Sequence, residues 1–161
     1  MNQELKYYIF IFIAFGLSSV ILQSVFVPFI EINVWRPDLV LVIVLLTGKR
    51  FGAVGGSTGG FLLGILQDAL TSMPIGISAL PKAVAGYASG KLKSVRLEGA
   101  VYYLMYVILI FLHEVIFYLF IQFKIDISFY DLIYSRVFPN TIYTTLMLIF
   151  VNLFAQKYFT E

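Results

Sequence analysis

Long apolar runs constrain this chain more than any other feature. Residues 7–30 carry no charged side chain, and residues 99–123 carry one carboxylate. A helix needs roughly 20 mostly apolar residues to cross the hydrocarbon core of a bilayer. Because 60% of the 161 residues are hydrophobic and only 12% are charged, a water-soluble fold of this size would have too little polar surface to cover them. The sequence therefore predicts an all-α integral membrane protein.

Six segments meet the length requirement fully or in part, and they predict a six-helix transmembrane bundle that forms one polytopic domain over residues 1–161. The second segment contains Pro37, which suits a helix start or a kink. Pro81 and Lys82 interrupt the fourth, so four or five full spans with a re-entrant segment are the alternative. The predicted spans are 7–30, 32–47, 51–70, 74–90, 99–123 and 137–155.

Lysine and arginine in the short loops predict the orientation, because cytoplasmic loops carry an excess of both residues. With both termini in the cytoplasm, seven fall inside and three outside. The inner set is Lys6, Lys49, Arg50, Lys91, Lys93, Arg96 and Lys157, and the outer set is Arg36, Lys124 and Arg136. The net charge of +2 and the lack of a long basic run argue against nucleic acid as a partner.

Glycines recur every fourth residue in the third segment, at Gly52, Gly56, Gly60 and Gly64, and the series ends on Asp68. In a membrane helix, small residues at this spacing let two helix backbones come close. Gly55 and Gly59 are expected to widen this groove, and the fourth segment carries a second pair, Gly86 and Gly90. A neighbouring helix of the same chain, a helix of a partner protein and a ligand are the three candidate occupants.

Four ionisable side chains are predicted to form an intramembrane polar cluster: Asp68, Lys82, His113 and Glu114. A charge at the centre of a bilayer is unfavourable, so such residues usually pair or serve a function. Lys82 and Glu114 lie at similar depth and are expected to pair, with Asp68 as the alternative partner of Lys82. Their role is then to stabilise packing, to relay protons or to bind a ligand.

The sequence predicts no enzyme. His113-Glu114 lacks the second histidine of a zinc-protease helix motif, and no nucleophile with an adjacent base stands out. The chain has one histidine and no cysteine, which disfavours a histidine-rich or thiolate metal site. We therefore expect no catalytic residue, no cofactor and no metal.

Three stretches resemble the rod shape-determining MreD family: RPDLVLVIVLL, GGSTGGFLLGILQDAL and PIGISALPKAVAGYASGK. The matching residues are Pro37 and Asp38; Gly56, Gly60, Phe61, Gly64 and Asp68; and Gly76, Gly86 and Gly90. Ile65 stands where leucine is common in the family. The length and six-span layout also agree, whereas the last two spans match only in hydrophobicity and in a Pro139-Asn140 start.

The resemblance implies a non-enzymatic scaffold in the bacterial cytoplasmic membrane that belongs to the cell-elongation machinery. Such a subunit associates with MreC and connects MreB filaments to a RodA-type glycosyltransferase and a penicillin-binding transpeptidase. The resemblance also implies a fold like the substrate-binding subunits of energy-coupling-factor transporters, which makes a vitamin-capturing subunit the alternative. A capture subunit is expected to have a polar-lined outer pocket, and a scaffold an apolar groove for another helix.

Overall fold

The structure, a computed structural model, describes residues 3–95, 99–122 and 128–159. Within these ranges every regular element is helical, and the β-type pairing is one isolated bridge between Ile32 and Trp35. The helices are α1 (Gln3–Val25), α2 (Val27–Ile30), α3 (Leu39–Leu70), α4 (Ala79–Leu92), α5 (Gly99–Gln122), α6 (Phe129–Leu132) and α7 (Phe138–Phe159), and a π-helical turn (Ile133–Val137) joins α6 to α7.

The chain reverses direction within α3, at Gly52. This glycine has φ +80° and ψ −174°, a conformation that side chains with a Cβ rarely adopt. A Cβ on Gly56 would lie 2.6 Å from the Cα of Gly48, although residues eight apart in a straight helix are separated by about 12 Å. α3 is therefore a tight hairpin, with a first arm over residues 39–51 and a second arm over residues 53–70.

The first arm of α3 forms the centre of the bundle. Every side chain from Val40 to Leu46 is at most 6% exposed, as expected for a helix that is apolar on all sides and surrounded by others. Its neighbours come from α1, α4, α5 and α7, and they include Phe12, Ala85, Tyr106, Ile110 and Leu148.

Four helical stretches of the described residues are long and apolar enough to cross a membrane: Lys6–Val25, Leu39–Leu70, Gly99–Gln122 and Phe129–Phe154. Large apolar side chains cover their outer faces, for example Phe10 at 70% and Phe154 at 76% exposure, and lipid tails would cover such surfaces. We interpret the bundle as having six membrane crossings. In this count each of the two arms of α3 is one crossing, and the 14-residue α4 is another.

Two predicted helix starts are too early. The second segment was expected to begin at residue 32, but Ile32 and Trp35 exchange backbone hydrogen bonds in a turn. The helix begins at Leu39, where the Asp38 carboxylate accepts a hydrogen bond from the Leu41 N–H. The fourth was expected from residue 74, but α4 begins at Ala79 after a turn around the Asp68 side chain.

Candidate functional site

The groove formed by Gly56, Gly60 and Gly64 is occupied by α4 of the same chain. A Cβ on Gly60 would lie 2.7 Å from the carbonyl carbon of Lys82, and one on Gly64 would lie 2.8 Å from the Ala79 nitrogen. Cβ atoms do not approach backbone this closely, so the second arm and α4 touch backbone to backbone. The contact is antiparallel and leaves no room for a partner helix or a ligand.

Gly86 and Gly90 complete this contact from the side of α4. A Cβ on Gly86 would meet Gly56, and one on Gly90 would meet residues Gly52 and Ala53. Gly48 also packs here, against Gly86, Ser89 and Gly90, although the sequence pattern did not point to it.

The expected place of Gly52 in the groove needs correction. Nothing would lie within 4 Å of a Cβ on Gly52, because this residue makes the reversal of α3. If α3 continued straight, Gly52 would be the next glycine along this ridge. Because the chain reverses, Gly48 of the first arm lies there instead.

Gly55 and Gly59 line a different groove, which corrects the expectation that they widen the first one. This outer groove lies between α1 and α3 and has a volume of about 580 Å³. Its lining is almost entirely apolar, with Ile9, Phe12, Ile13 and Leu17 from α1 and Thr47, Phe51, Gly55, Thr58, Gly59, Leu62, Leu63 and Leu66 from α3.

The interior charges meet at the start of α3, and Lys82 pairs with a residue that was not expected. Its Nζ lies 2.5 Å from Asp38 Oδ2, and the two side chains are 0% and 14% exposed. The predicted Lys82–Glu114 pair is therefore wrong, because Asp38 reaches the ammonium from the start of the central arm. Glu114 Oε1 lies 3.5 Å from Nδ1 of His113 instead.

Asp38, His113 and Glu114 come together beside this ion pair. One ligand atom from each lies within 4.8 Å of the other two. His113 and Glu114 are only 2% and 4% exposed. We call Asp38, Lys82, His113 and Glu114 the buried polar cluster. Sequence analysis missed Asp38 as a member because it assigned that residue only to the entry of the second span.

Asp68 does not bind Lys82 but organises the turn between α3 and α4. It is fully buried, and its carboxylate accepts hydrogen bonds from the Gly76 N–H at 2.8 Å and the Ser78 N–H at 3.1 Å. Its own carbonyl accepts from the Met73 N–H. Asp68 thus satisfies backbone donors just before α4 that would otherwise be buried without partners.

Polar side chains of α1 and α7 hold the non-helical backbone before α3. Gln23 donates to the Pro37 carbonyl and accepts from the Leu39 N–H. Asn140 accepts from the Arg36 N–H, and Thr144 accepts from the Asp38 N–H. Irregular backbone at membrane depth requires such partners. Polar residues inside otherwise apolar runs are the sequence signal that points to these contacts.

A small polar pocket opens beside the cluster. Its volume is about 100 Å³, and both Asp38 and Glu114 line it. Gln67 also lines it, and the Gln67 Oε1 atom is buried without a hydrogen-bond partner. The remaining lining is mixed in charge and includes Gln23, Glu31, Arg36, Ser78, Tyr118 and Asn140.

Basic side chains of the described residues gather around the Gly52 reversal. Lys93 Nζ donates to the Arg50 carbonyl at 2.7 Å, and the Arg50 guanidinium lies 4.5 Å from the centre of the Tyr8 ring. Lys49 lies similarly over the Tyr102 ring. Arg96 and Lys124, which also entered the orientation count, lie outside the described residues.

Taken together, a bundle of membrane-capable helices with a buried polar cluster defines an integral membrane protein built around helix packing. The family model of the rod shape-determining protein MreD matches residues 3–159. The chain therefore belongs to the MreD family, as its sequence motifs predicted, and has a role in rod shape determination. No curated protein and no solved structure matches it.

Proposed function

We propose that this chain is a multi-pass scaffold of the bacterial cytoplasmic membrane that holds the membrane helix of an MreC-type partner in the groove between α1 and α3. Through that partner it would connect MreB filaments with a RodA-type glycosyltransferase and a penicillin-binding transpeptidase. MreD belongs to the same shape system as MreB and MreC, which supports a partner of this type.

The observation that carries the proposal is the shape and chemistry of this outer groove. Its volume of about 580 Å³ is bounded on one side by Gly55 and Gly59, which are four residues apart. A Cβ on Gly59 would meet only the Thr47 methyl carbon, at 3.4 Å. A Cβ on Gly55 would instead meet the Phe51 Cβ at 2.5 Å, so Gly59 is the glycine with open space on the groove side. Small residues four apart favour the close approach of a second membrane helix. The other glycine ridge of the second arm is already filled by α4.

A Gly59→Leu substitution tests the groove without disturbing the fold. The new side chain would project into the groove, and the chain itself offers it no backbone to collide with. We expect the variant to accumulate and insert normally but to lose co-purification with an MreC-type subunit, because a partner helix can no longer approach. Membrane-fraction yield and affinity purification of the complex measure the two effects.

Val54→Leu is the matched control. Val54 is 76% exposed on the same arm, outside the lining of the groove, so this change should preserve partner recovery. Normal co-purification of the partner with Gly59→Leu would contradict the proposed docking site. Lipid would then be the occupant of the groove.

The alternative function is capture of a small molecule in the polar pocket beside Asp38 and Glu114. That pocket has a volume of about 100 Å³, whereas sites for drug-sized ligands usually have roughly 300–1,000 Å³. This difference favours the scaffold over a vitamin-binding subunit. Screening the purified chain against vitamins by thermal shift tests the alternative, and saturable stabilisation by one of them would favour capture.

A further inference from the structure

We propose that Asp38, His113 and Glu114 form a binding site for a divalent transition-metal ion, with Zn²⁺ as the reference ion. The site lies in the buried polar cluster and is independent of the groove that is proposed to bind a partner helix. It departs from the expectation that a chain with a single histidine builds no metal site.

The spacing of the three side chains suits a shared ion. One ligand atom from each lies within 4.8 Å of the others, and His113 Nδ1 lies 3.5 Å from Glu114 Oε1. Zinc binds nitrogen and oxygen ligands at about 2.0–2.2 Å in a tetrahedron, which places neighbouring ligand atoms about 3.4 Å apart. Both Asp38 oxygens already accept hydrogen bonds, from the Leu41 N–H and from Lys82 Nζ, so a shared ion would use a second lone pair of one of them.

Two polar groups are buried here without partners, and both suit a cation. His113 is 2% exposed, and among the described residues neither of its ring nitrogens has a hydrogen-bond partner. Gln67 is 9% exposed and lines the adjoining pocket, and its Oε1 atom is also unpartnered. Buried polar groups in folded proteins are nearly always hydrogen-bonded. The one lone pair of a neutral His113 imidazole and the Gln67 Oε1 lone pairs are therefore free for a bound cation.

The charge balance also favours a cation. Lys82 neutralises Asp38. With His113 neutral, as a metal-bound imidazole is, an ionised Glu114 would have no cationic partner within the cluster. Glu31 and Arg36 also line the pocket, and their opposite charges offset each other. Electrostatic attraction is strong at a buried site of low dielectric, and the pocket reaches both Asp38 and Glu114.

The donor set indicates the class of metal. One imidazole nitrogen with two carboxylate oxygens suits Zn²⁺, Mn²⁺ or Fe²⁺. Ca²⁺ would require six to eight oxygen ligands, which this cluster does not offer. Three protein ligands leave a position for water, and the pocket supplies room for it.

Zinc titration of the purified, tag-free full-length chain tests the site. We expect one zinc ion per chain by isothermal titration calorimetry. Changing a ligand, as in His113→Ala or Glu114→Gln, should weaken binding by at least the roughly tenfold effect that loss of a supporting residue usually has. Glu31→Gln removes a carboxylate from the same pocket but not from the cluster, and it should bind zinc like the wild type.

X-ray absorption at the zinc edge provides a second readout that needs no variant. Because His113 is the single histidine of the chain and cysteine is absent, an imidazole signal in the zinc shell must come from His113. An imidazole in the shell supports the site even if a variant fails to fold. Lack of saturable binding, a zinc shell without imidazole, or equal weakening by Glu31→Gln and Glu114→Gln would overturn the proposal.

Discussion

Lys82 and Asp38 join α4 to the start of the central arm through a buried ion pair, with Nζ and Oδ2 2.5 Å apart. Asp38 also caps α3 through its other carboxylate oxygen, which accepts from the Leu41 N–H at 2.8 Å. One carboxylate thus fixes the first turn of the central helix and neutralises a lysine that is 0% exposed. Of these two effects, the ion pair depends on the ionised form of Asp38.

Lys82→Met should destabilise the protein strongly. Removing one partner of a buried pair usually costs about 3–5 kcal/mol, because the remaining charge stays buried without compensation. Thermal unfolding in detergent should show the loss. Adding Asp38→Asn should recover part of it, since no unpaired charge then remains and the amide oxygen can still accept from Leu41.

The control is Lys82→Met combined with Glu114→Gln, the pair that sequence depth alone suggested. This combination should recover less, because the Asp38 carboxylate stays buried without its ammonium partner and Glu114→Gln removes only a like-charge repulsion within 4.8 Å of it. Equal recovery from both combinations would contradict the assignment of Asp38 as the partner, since coupling is specific to residues in contact.

The difference between the predicted and observed partners of Lys82 shows what the sequence alone could predict. Apolar length alone predicted α5 closely: the structure has Gly99–Gln122 where residues 99–123 were expected. The depth of each charged residue along its predicted span restricted the possible partners of Lys82 but did not select one. The choice depended on the reversal at Gly52, which makes residues 39–51 the central arm and brings Asp38 inward.

The reversal itself was hidden by the glycines around it. The segment from Gly48 to Gly60 contains six glycines, and only the positive φ angle distinguishes Gly52 as a turn. A four-residue spacing cannot separate a packing glycine from a turning one. For the same reason, the pattern assigned Gly55 and Gly59 to the wrong groove.

Asp68→Ala should weaken the connection between α3 and α4. The change would leave the part-buried Gly76 N–H and the buried Ser78 N–H without their acceptor, and an unsatisfied buried group costs about 1–3 kcal/mol. A lower unfolding temperature and faster proteolysis of residues 71–78 are the expected results.

Asp131→Ala is the matched control for Asp68→Ala. Asp131 is exposed and lies in the four-residue α6, where its loss should have little effect on global unfolding. If both variants unfold alike, the backbone hydrogen bonds to Asp68 do not have the structural role assigned to them.

Gly60→Leu should abolish folding, in contrast to the neighbouring Gly59→Leu. A side chain at residue 60 would collide with the backbone of Lys82 and Ala83, and backbone atoms cannot move aside without separating α4 from α3. Very low yield in the membrane fraction is the expected result. Ser57→Leu lies on the same arm but outside the contact with α4 and outside the groove beside α1, so its effect on yield should be much milder. A normal yield of Gly60→Leu would contradict the backbone contact between α3 and α4.

The basic end of the bundle should face the cytoplasm. Lys93 and Arg50 lie together there, and Lys49 and Lys91 each lie near a tyrosine ring, an arrangement that follows the preference of basic residues for the inner side.

Because the chain has no cysteine, single cysteines report position without background. Ile75→Cys, in the turn before α4 and 72% exposed in the native chain, should react with a membrane-impermeant thiol reagent in intact cells. Ser94→Cys, exposed after α4, should react only once the cells are permeabilised, and the reverse pattern would invert the orientation.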